Sequence, residues 1–255
     1  MNTLSQALRL SSISAVAFVG AGGKTSAMFQ AAKDLGNAIL TTTTHIGDWQ
    51  TAGADKHIVW NISDLMPGMD DISGQGIILI TGLHDVNSHR YSGLSLDQME
   101  KLYQYAGYHD LPLLIEADGS RQISIKAPGE NEPVIPEFTN LVVVTAGLSC
   151  LGKKLTRESV FRMEKFSDLT GLHENEIITT SILAELLIHP LGGLKNIPYS
   201  ARRSALLNQA DNVNIQSLAN ETAELLVPVY DSVIISSLLP LPAKIYSVKE
   251  KTDGV

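Results

Sequence analysis

The stretch Ala15-Val16-Ala17-Phe18-Val19-Gly20-Ala21-Gly22-Gly23-Lys24-Thr25 decides the fold of this chain. Its first five residues are apolar and predict a buried strand over 15–19, and the glycines predict a loop over 20–23. From 24 to 35 the apolar residues recur at helical spacing, and Gly36 is a typical helix stop. A strand, a glycine loop and a helix in this order predict a site where backbone N–H groups bind an anion such as phosphate.

Short β-rich runs alternate with helical patterns through most of the sequence. This alternation predicts an α/β fold with a mostly parallel sheet flanked by crossover helices. A further helix is predicted at 96–106, and further strands are predicted at 38–42, 57–60, 76–80, 113–118, 141–145, 204–208 and 232–236, with an edge strand at 244–248. We expect residues 1–255 to form a single P-loop NTPase-like domain. The alternation breaks at 151–193, which predicts a small helical lobe inserted within that domain.

The bulk composition limits the class of protein and of partner. The 255 residues carry a formal net charge of −8, and 44% of them are hydrophobic, which is enough for a sizeable core. An acidic chain is a poor candidate for binding nucleic acid or an anionic membrane, because both are polyanions. Every apolar run is well short of the roughly 20 residues of a membrane span, and the single Cys150 fits a reducing compartment. We therefore expect a cytoplasmic protein without nucleic-acid or membrane partners.

The glycine loop predicts which residues hold a nucleotide. The residues expected to bind it here are Gly20, Ala21, Gly22, Gly23, Lys24, Thr25 and Ser26. Lys24 can reach the outer phosphates and act in catalysis, and the Thr25 hydroxyl can bind Mg²⁺. The full signature has a glycine six positions before the lysine, where this chain has Phe18, so only G-x-x-G-K-T remains. The alternative interpretation is a glycine turn that links strand and helix, with a solvated lysine.

A strand that ends in carboxylates supplies the second group of candidates, in the segment Glu116-Ala117-Asp118-Gly119-Ser120-Arg121. In P-loop folds the strand beside the loop ends in an acidic residue that supports Mg²⁺. Asp118 is the first choice for this metal role, and Glu116 is the second, as a group that orients or deprotonates a nucleophile. Arg121 and Lys126 could neutralise substrate charge or be ordinary solvated cations. Without function, the carboxylates would simply cap a turn.

Two further segments lie where ligands bind in open α/β sheets, at strand carboxyl ends. Thr44 follows the predicted second strand, and its hydroxyl could contact a phosphate or Mg²⁺. Asn208-Gln209-Ala210-Asp211 follows a later strand and resembles the N-K-x-D element of GTP-binding proteins, so Asn208 and Asp211 are candidate nucleotide-binding residues. A carboxylate there accepts two hydrogen bonds from guanine that adenine cannot donate. Because Gln209 replaces the usual lysine, ATP and GTP both stay open, as does a simple Asx turn.

Taken together, these segments resemble the YqeC family. The resemblance also rests on Lys126-Ala127-Pro128, on Glu132-Pro133-Val134-Ile135-Pro136 and on Gly147-Leu148 with Leu151-Gly152, and it extends from about Ala15 to Ser236. That family is described as an accessory of selenium-dependent molybdenum hydroxylases. The resemblance therefore implies a role in maturing such an enzyme, with the hydroxylase or its cofactor-maturation proteins as partners.

Three functions follow as hypotheses. The first is Mg²⁺-dependent hydrolysis of ATP or GTP, or phosphoryl transfer from it, during maturation of the hydroxylase. The second is an ATP-dependent ligase activity, because the shortened loop is similar to that of Mur-type amide ligases, although the chain lacks room for their additional domains. The third is a non-enzymatic chaperone whose docking on the apo-hydroxylase is gated by nucleotide.

Overall fold

The structure of the protein is a computed structural model that describes residues 3–61 and 76–251. The strands of this part are, in chain order, β1 Ala15–Gly20, β2 Ala38–Thr42, β3 His45–Gly47, β4 Lys56–Val59, β5 Ile77–Thr81, β6 His84–Asp85, β7 Arg90–Ser92, β8 Leu113–Glu116, β9 Ile125–Lys126, β10 Leu141–Gly147, β11 Val160–Phe161, β12 Arg202–Asn208, β13 Ser232–Ser237 and β14 Lys244–Glu250. The α-helices are α1 Leu4–Ala7, α2 Lys24–Leu35, α3 Leu96–Tyr108, α4 Met163–Thr170, α5 Thr180–Ile188 and α6 Val213–Leu226. Two 3₁₀ helices span Asp48–Gly53 and Leu148–Cys150.

The main sheet of the described residues has nine strands in the order β14-β13-β12-β10-β1-β8-β2-β5-β4. Neighbouring strands are parallel except for β14, which runs antiparallel to β13 at one edge. Parallel neighbours need crossover connections, and helices in those connections cover the faces of the sheet. The protein is therefore an α/β fold with a mostly parallel sheet flanked by helices, as the alternation of strand and helix patterns predicts.

Strand β1 lies near the middle of the sheet, and its alternate side chains face opposite sides. Val16 and Phe18 belong to the apolar cluster that contains Met28 of α2, whereas Ala17 and Val19 belong to the cluster on the other face, where α5 and α6 pack. A strand covered on both faces needs a continuous apolar run rather than an alternating one. Burial on both faces explains the sequence of this strand and fixes the position of the loop that follows it.

The predicted element bounds agree closely with the structure. Helix α2 and strand β2 have the predicted bounds, and the other predicted elements are present with ends that differ by one or two residues. Strand β8 ends at Glu116, so Asp118 lies just beyond the strand rather than within it. The small antiparallel sheet β3-β7-β6, by contrast, was not predicted, because its strands are only two or three residues long.

The segment 151–193 contains α4, α5 and the short strand β11, which pairs with β9. Phe166 of α4 and Leu183 of α5 are fully buried in the same apolar cluster as Ala17 and Val19 of β1. The two helices therefore cover one face of the main sheet, while the description of this segment as an inserted lobe stays a prediction. Within the described residues, no helix is both long and apolar enough to span a bilayer.

Candidate functional site

The glycine loop joins β1 to α2 in a backbone conformation that requires glycine. Gly20, Gly22 and Gly23 have φ angles of +92°, +79° and +127°. A Cβ atom on Gly22 would lie 2.3 Å from the backbone nitrogen of Gly147 and 2.6 Å from the carbonyl oxygen of Ser124. Left-handed backbone and close packing both exclude a side chain at Gly22. The loop is therefore pressed against the carboxyl end of β10.

The amino end of α2 keeps its backbone N–H groups open toward a cleft. Gly23 is the N-cap, and it has no side chain that could accept a hydrogen bond from the first turn. Within the described residues, no acceptor receives a hydrogen bond from the N–H of Gly22 or Gly23. The first four N–H groups of any helix lack partners within the helix, and they carry the positive end of its dipole. This junction therefore has the geometry of an anion-binding helix terminus.

Strand β8 brings the predicted acidic residues beside the loop, because β8 is the direct neighbour of β1. Phe18 of β1 pairs with Glu116 of β8. The N–H of Gly20 donates a hydrogen bond of 2.9 Å to Oδ2 of Asp118, and the Thr25 hydroxyl donates one of 2.6 Å to Oε2 of Glu116. The structure therefore joins the glycine loop and the carboxylate strand into one site.

Lys24 is buried among these acidic groups, with only 2% of its surface exposed. Its ammonium nitrogen donates to the carbonyl oxygen of Gly20 at 2.9 Å and lies 3.3 Å from Oδ1 of Asp118 and 3.7 Å from Oε1 of Glu116. A solvated lysine, the alternative considered for this position, would have neither the burial nor these partners. The structure therefore places the ammonium between the loop and both carboxylates.

Lys126 forms the second buried cation of the site. Its ammonium lies 2.7 Å from Oδ2 of Asp118 and 3.1 Å from Oε2 of Glu132, and it donates to the carbonyl oxygen of Gly119 at 2.7 Å. The guanidinium of Arg162 makes two hydrogen bonds to Glu132, of 2.8 and 3.0 Å. Positive and negative groups thus alternate from Lys24 to Arg162, and each buried charge has an opposite neighbour, as burial of charges requires.

Burial and pairing shift the pKa values within this network. Burial raises the pKa of Glu116, although the charge of Lys24 and the hydrogen bond from Thr25 oppose the rise. Burial also lowers the pKa of Lys126, against the attraction of Asp118. For Glu132 burial is outweighed by the hydrogen bonds and charges of Arg162 and Lys126, which hold its pKa at about 2. Glu132 is therefore firmly ionised, whereas Glu116 binds a proton more readily than an ordinary glutamic acid.

A cleft of about 700 Å³ opens in front of the uncapped helix end. The predicted site residues that line it are Gly22, Gly23, Lys24, Thr25, Ser26, Thr44, Glu116 and Arg121. Gly20, Ala21, Asp118, Asn208 and Asp211 do not line it. The cleft is therefore lined by the second half of the glycine loop, the start of α2 and Glu116, while Asp118 and Asn208 are buried outside its lining.

Arg121 and Thr44 lie on the walls of the cleft, away from the buried charges. The guanidinium carbon of Arg121 is 5.1 Å from the ring centroid of Phe161, over which Arg162 also stacks at 4.4 Å. The N–H of Thr44 donates to the hydroxyl oxygen of Thr42, whose own hydroxyl donates to the backbone of the carboxylate strand. Both residues can contact a ligand in the cleft.

Asn208 connects the glycine loop to the end of β13. Its side-chain amide donates a hydrogen bond of 2.8 Å to the carbonyl oxygen of Gly22, and its Oδ1 accepts hydrogen bonds from the Ser236 hydroxyl and the Leu238 N–H. Asp211 is exposed and accepts a hydrogen bond of 2.5 Å from the Ser237 hydroxyl. The structure thus places Asn208 under the loop and holds Asp211 against the end of the neighbouring strand.

Some residues of the site carry no local signal in the sequence. Gln50 donates a hydrogen bond of 2.8 Å to the hydroxyl oxygen of Thr25, and Glu132 completes the buried charge network. Gln50 lies in the 3₁₀ helix Asp48–Gly53, and Glu132 begins the proline-rich segment 132–136, but only the three-dimensional fold reveals their contacts with the site. Cys150 is free and buried, and burial raises the pKa of its thiol to about 12. A thiol in that state is a poor nucleophile.

The oxygen atoms of the site suit Mg²⁺ as part of a complex with phosphate. Oδ1 of Asp118 is buried and accepts no hydrogen bond from a described residue, although the Lys24 ammonium lies 3.3 Å from it. The Thr25 hydroxyl adds a further oxygen ligand of the kind that Mg²⁺ prefers, and the Glu116 carboxylate accepts its hydrogen bond. The described residues include no cluster of three His, Cys, Asp or Glu that could hold a metal by themselves. Mg²⁺ is commonly bound by one or two carboxylates together with substrate phosphates, and the residues present fit that mode.

Comparison with known proteins places this site in a family. The model of the family described as YqeC protein matches residues 16–164, which include the glycine loop, Glu116 and Asp118. A relative from Escherichia coli strain K12, named Uncharacterized protein YqeC, is 33% identical, and the alignment covers 79% of each chain. The resemblance predicted from the sequence motifs is thereby confirmed. This chain belongs to the YqeC family.

Proposed function

We propose that the protein binds a nucleoside triphosphate, ATP or GTP, with Mg²⁺, and hydrolyses it or transfers its terminal phosphoryl group. The observation that carries the proposal is the uncapped amino end of α2, which opens into the cleft directly beside two carboxylates and two buried lysines. A P-loop NTPase combines these same parts: a glycine loop, a lysine, a hydroxyl for the metal and an acidic residue on the adjacent strand.

The backbone supplies most of the phosphate binding. Gly22, Gly23 and the first turn of α2 line the cleft with N–H groups that lack partners, and the helix dipole would add positive potential there. Lys24 is held between Asp118 and Glu116 and lines the cleft, where its ammonium would supply positive charge to the outer phosphates of a bound nucleotide. Glycine at these positions lets the phosphates approach the backbone closely.

Thr25 and Asp118 would hold the Mg²⁺ ion, with Glu116 nearby. The bound metal would neutralise charge on the phosphates. Lys126 keeps Asp118 oriented through its 2.7 Å ion pair, and Gln50 orients the Thr25 hydroxyl through its 2.8 Å hydrogen bond.

Glu116 is the candidate general base. Burial raises its pKa toward the range in which a carboxylate accepts a proton effectively, and its carboxylate lines the cleft. Arg121, which also lines the cleft, can stabilise charge on the transferred group. The Thr44 hydroxyl can hydrogen-bond a phosphate oxygen. We infer these roles from position, and a turnover measurement on Glu116→Gln tests the first of them.

The biological role proposed here is that of an accessory in maturation of a selenium-dependent molybdenum hydroxylase. This role follows from the family resemblance rather than from any residue of the site. The buried thiol of Cys150 is unsuited to carry selenium, so the nucleotide site is the feature through which the protein would act.

Titration calorimetry of ATP and GTP with Mg²⁺ tests the proposal. We expect the wild type to bind, and we expect Lys24→Ala to weaken binding at least tenfold, because a hydrogen bond to a charged group contributes about 1.5–3 kcal/mol. Lys153→Ala is the control, since Lys153 is exposed and does not line the cleft.

Removing Lys24 leaves buried carboxylates with one cation fewer, so the variant is first checked for native structure by circular dichroism. Thr25→Val is a second variant that preserves the shape and charge of the site while removing a metal ligand. If the wild type binds neither nucleotide, or if both variants bind as tightly as the wild type, the proposed function is wrong.

A further inference from the structure

A second cavity, of about 260 Å³, lies along the outer face of α2 directly beside the cleft. We call it the recess and define it by Phe29, Trp49, Leu239 and Leu241. The recess and the cleft share the lining residues Thr25, Ser26, Trp49, Gln50 and Leu239. A ligand whose phosphates lie at the amino end of α2 therefore has direct access to the recess.

The walls of the recess expose an unusual amount of apolar surface. Trp49 is 65% exposed, Leu239 59% and Leu241 63%. Single exposed apolar residues are common on proteins, but several around one cavity beside a polar cleft indicate a ligand site. An indole ring next to aliphatic side chains is the type of surface on which a flat aromatic ligand stacks.

We propose that the recess binds the base of the nucleotide, which stacks on the indole ring of Trp49 and contacts Leu239 and Leu241. This inference rests on the proposed function and adds the site of the base to it. Phe29 lies one helical turn beyond Thr25, a rise of about 5.4 Å. The recess thus begins beside the phosphate-binding end of the helix and continues along the helix axis, as an extended nucleotide requires.

Trp49 is fixed relative to the phosphate-binding helix by its neighbour in the 3₁₀ helix. Gln50 accepts a hydrogen bond from the Gly47 N–H and donates one to the Thr25 hydroxyl oxygen, both of 2.8 Å. The indole nitrogen of Trp49 packs so closely on Gly47 that a Cβ there would lie 2.7 Å away. The stacking surface and the metal-binding hydroxyl are therefore held by one local framework.

Two polar side chains of the recess, those of Gln30 and Gln50, already have hydrogen-bond partners, and Lys33 and Ser26 also line it. Gln30 donates its side-chain amide to Asp34, and Gln50 uses both ends of its amide on Gly47 and Thr25. The described residues that line the recess include no carboxylate, and Asp211 is not among them. The hydrogen-bond donors of guanine thus have no carboxylate partner in the recess, and ATP and GTP should bind with affinities within a few-fold of each other.

Calorimetry with three ligands, ATP, GTP and inorganic tripolyphosphate, each with Mg²⁺, tests the recess. Trp49→Ala should weaken binding of both nucleotides roughly 5- to 100-fold, the range expected for loss of one base–aromatic stack. Tripolyphosphate should bind Trp49→Ala as tightly as it binds the wild type. Trp49→Phe should restore most of the nucleotide affinity. Tyr108→Ala is the control, because Tyr108 is an even more exposed aromatic residue outside the recess.

Three results would overturn the inference. Nucleotide affinity that is unchanged in Trp49→Ala, with tripolyphosphate still bound, would leave the proposed function intact and exclude the recess. Equal losses for nucleotide and tripolyphosphate would show that Trp49 acts on the phosphate site instead. A change in the ratio of GTP to ATP affinity in Asp211→Ala, without any change in Trp49→Ala, would assign the base to Asp211. Failure of the wild type to bind any of the three ligands would reject the phosphate site itself.

Discussion

Two strand-to-helix junctions follow the carboxyl ends of interior strands of the main sheet, and they differ in whether a side chain caps the start of the helix. At the first, β1 leads into α2 through a glycine loop, and no side chain caps the helix. At the second, β12 leads into α6, whose N-cap Asn212 accepts a 3.0 Å hydrogen bond from the Ile215 N–H. Gln216 closes this junction further by donating to the carbonyl oxygen of Ala210.

The difference separates a helix start whose N–H groups have a cap from one whose N–H groups are open for the ligand that we propose. A capped helix start satisfies its own N–H groups and offers little to an anion. The first junction instead keeps three glycines with positive φ angles, which cost conformational entropy, and leaves its N–H groups open. Asn208, at the end of β12, donates a hydrogen bond to the carbonyl oxygen of Gly22. The second, capped junction therefore helps to hold the glycine loop of the first.

The largest effect is expected from Gly22→Ala, which breaks the open junction. The added Cβ would meet the backbone of Gly147 at 2.3 Å and that of Ser124 at 2.6 Å, and backbone cannot move aside cheaply. Combined with the left-handed φ of +79°, this overlap should lower the free energy of unfolding by about 4 kcal/mol or more. Urea denaturation followed by circular dichroism measures the change.

Gly36→Ala is the matched control for the conformational part of that cost. Gly36 has a φ angle of +82°, but a Cβ there would meet nothing within 4 Å. Its substitution should cost only about 1 kcal/mol. Similar losses for the two variants would mean that close packing of the glycine loop against β10 contributes nothing.

A smaller effect is expected from Glu132→Gln. This substitution removes the negative charge that pairs with Lys126 and Arg162 beside the first junction. The pKa of Glu132 in the folded protein is about 2, below its ordinary value of 4.5. Its ionised form therefore stabilises the fold above pH 4.5, and this contribution, about 1–2 kcal/mol because solvent screens a half-buried carboxylate, is lost as the pH falls from 4.5 toward 2. The variant should be less stable than the wild type by about that amount at neutral pH, and the gap should close with acidification.

Urea denaturation at several pH values between about 7 and 3 measures this gap. Glu130→Gln is the control, because Glu130 is exposed and its replacement should change stability by no more than about 0.5 kcal/mol. A gap between wild type and Glu132→Gln that stays constant with pH would contradict the role assigned to the Arg162 and Lys126 pairs.

The sequence predicted the open junction well because its signals are local. Five apolar residues followed by glycines and an amphipathic run define β1, the loop and α2 without reference to the rest of the chain. The sequence places Glu116 near the loop because the strand beside the loop in P-loop folds ends in an acidic residue, and the pairing of β8 with β1 confirms that proximity. The P-loop identity of the fold remains part of the proposal.

The supports of the site could not be predicted, because they depend on contacts that are distant in sequence. Lys126 reads as either a substrate-binding or a solvated cation, and only its 2.7 Å contact with Asp118 reveals a buried structural role. Gln50 reaches Thr25 from a connection 25 residues away. Trp49 has no pattern around it that indicates a stacking surface. Patterns of spacing locate strand and helix ends, but they do not show which loops fold over them.

The smallest effect is expected from Asn212→Ala, which removes the side-chain cap of α6 at the second junction. This variant tests whether a missing cap affects stability only or also nucleotide binding. Loss of an N-cap hydrogen bond should lower the free energy of unfolding by about 1 kcal/mol. It should leave Mg-nucleotide affinity unchanged, because Asn212 lines neither the cleft nor the recess. Asn220→Ala, on the exposed face of the same helix, controls for helix propensity. If Asn212→Ala weakened nucleotide binding as strongly as Lys24→Ala, the second junction would be part of the ligand site. The presence or absence of a cap would then not separate the junction that binds ligand from the one that does not.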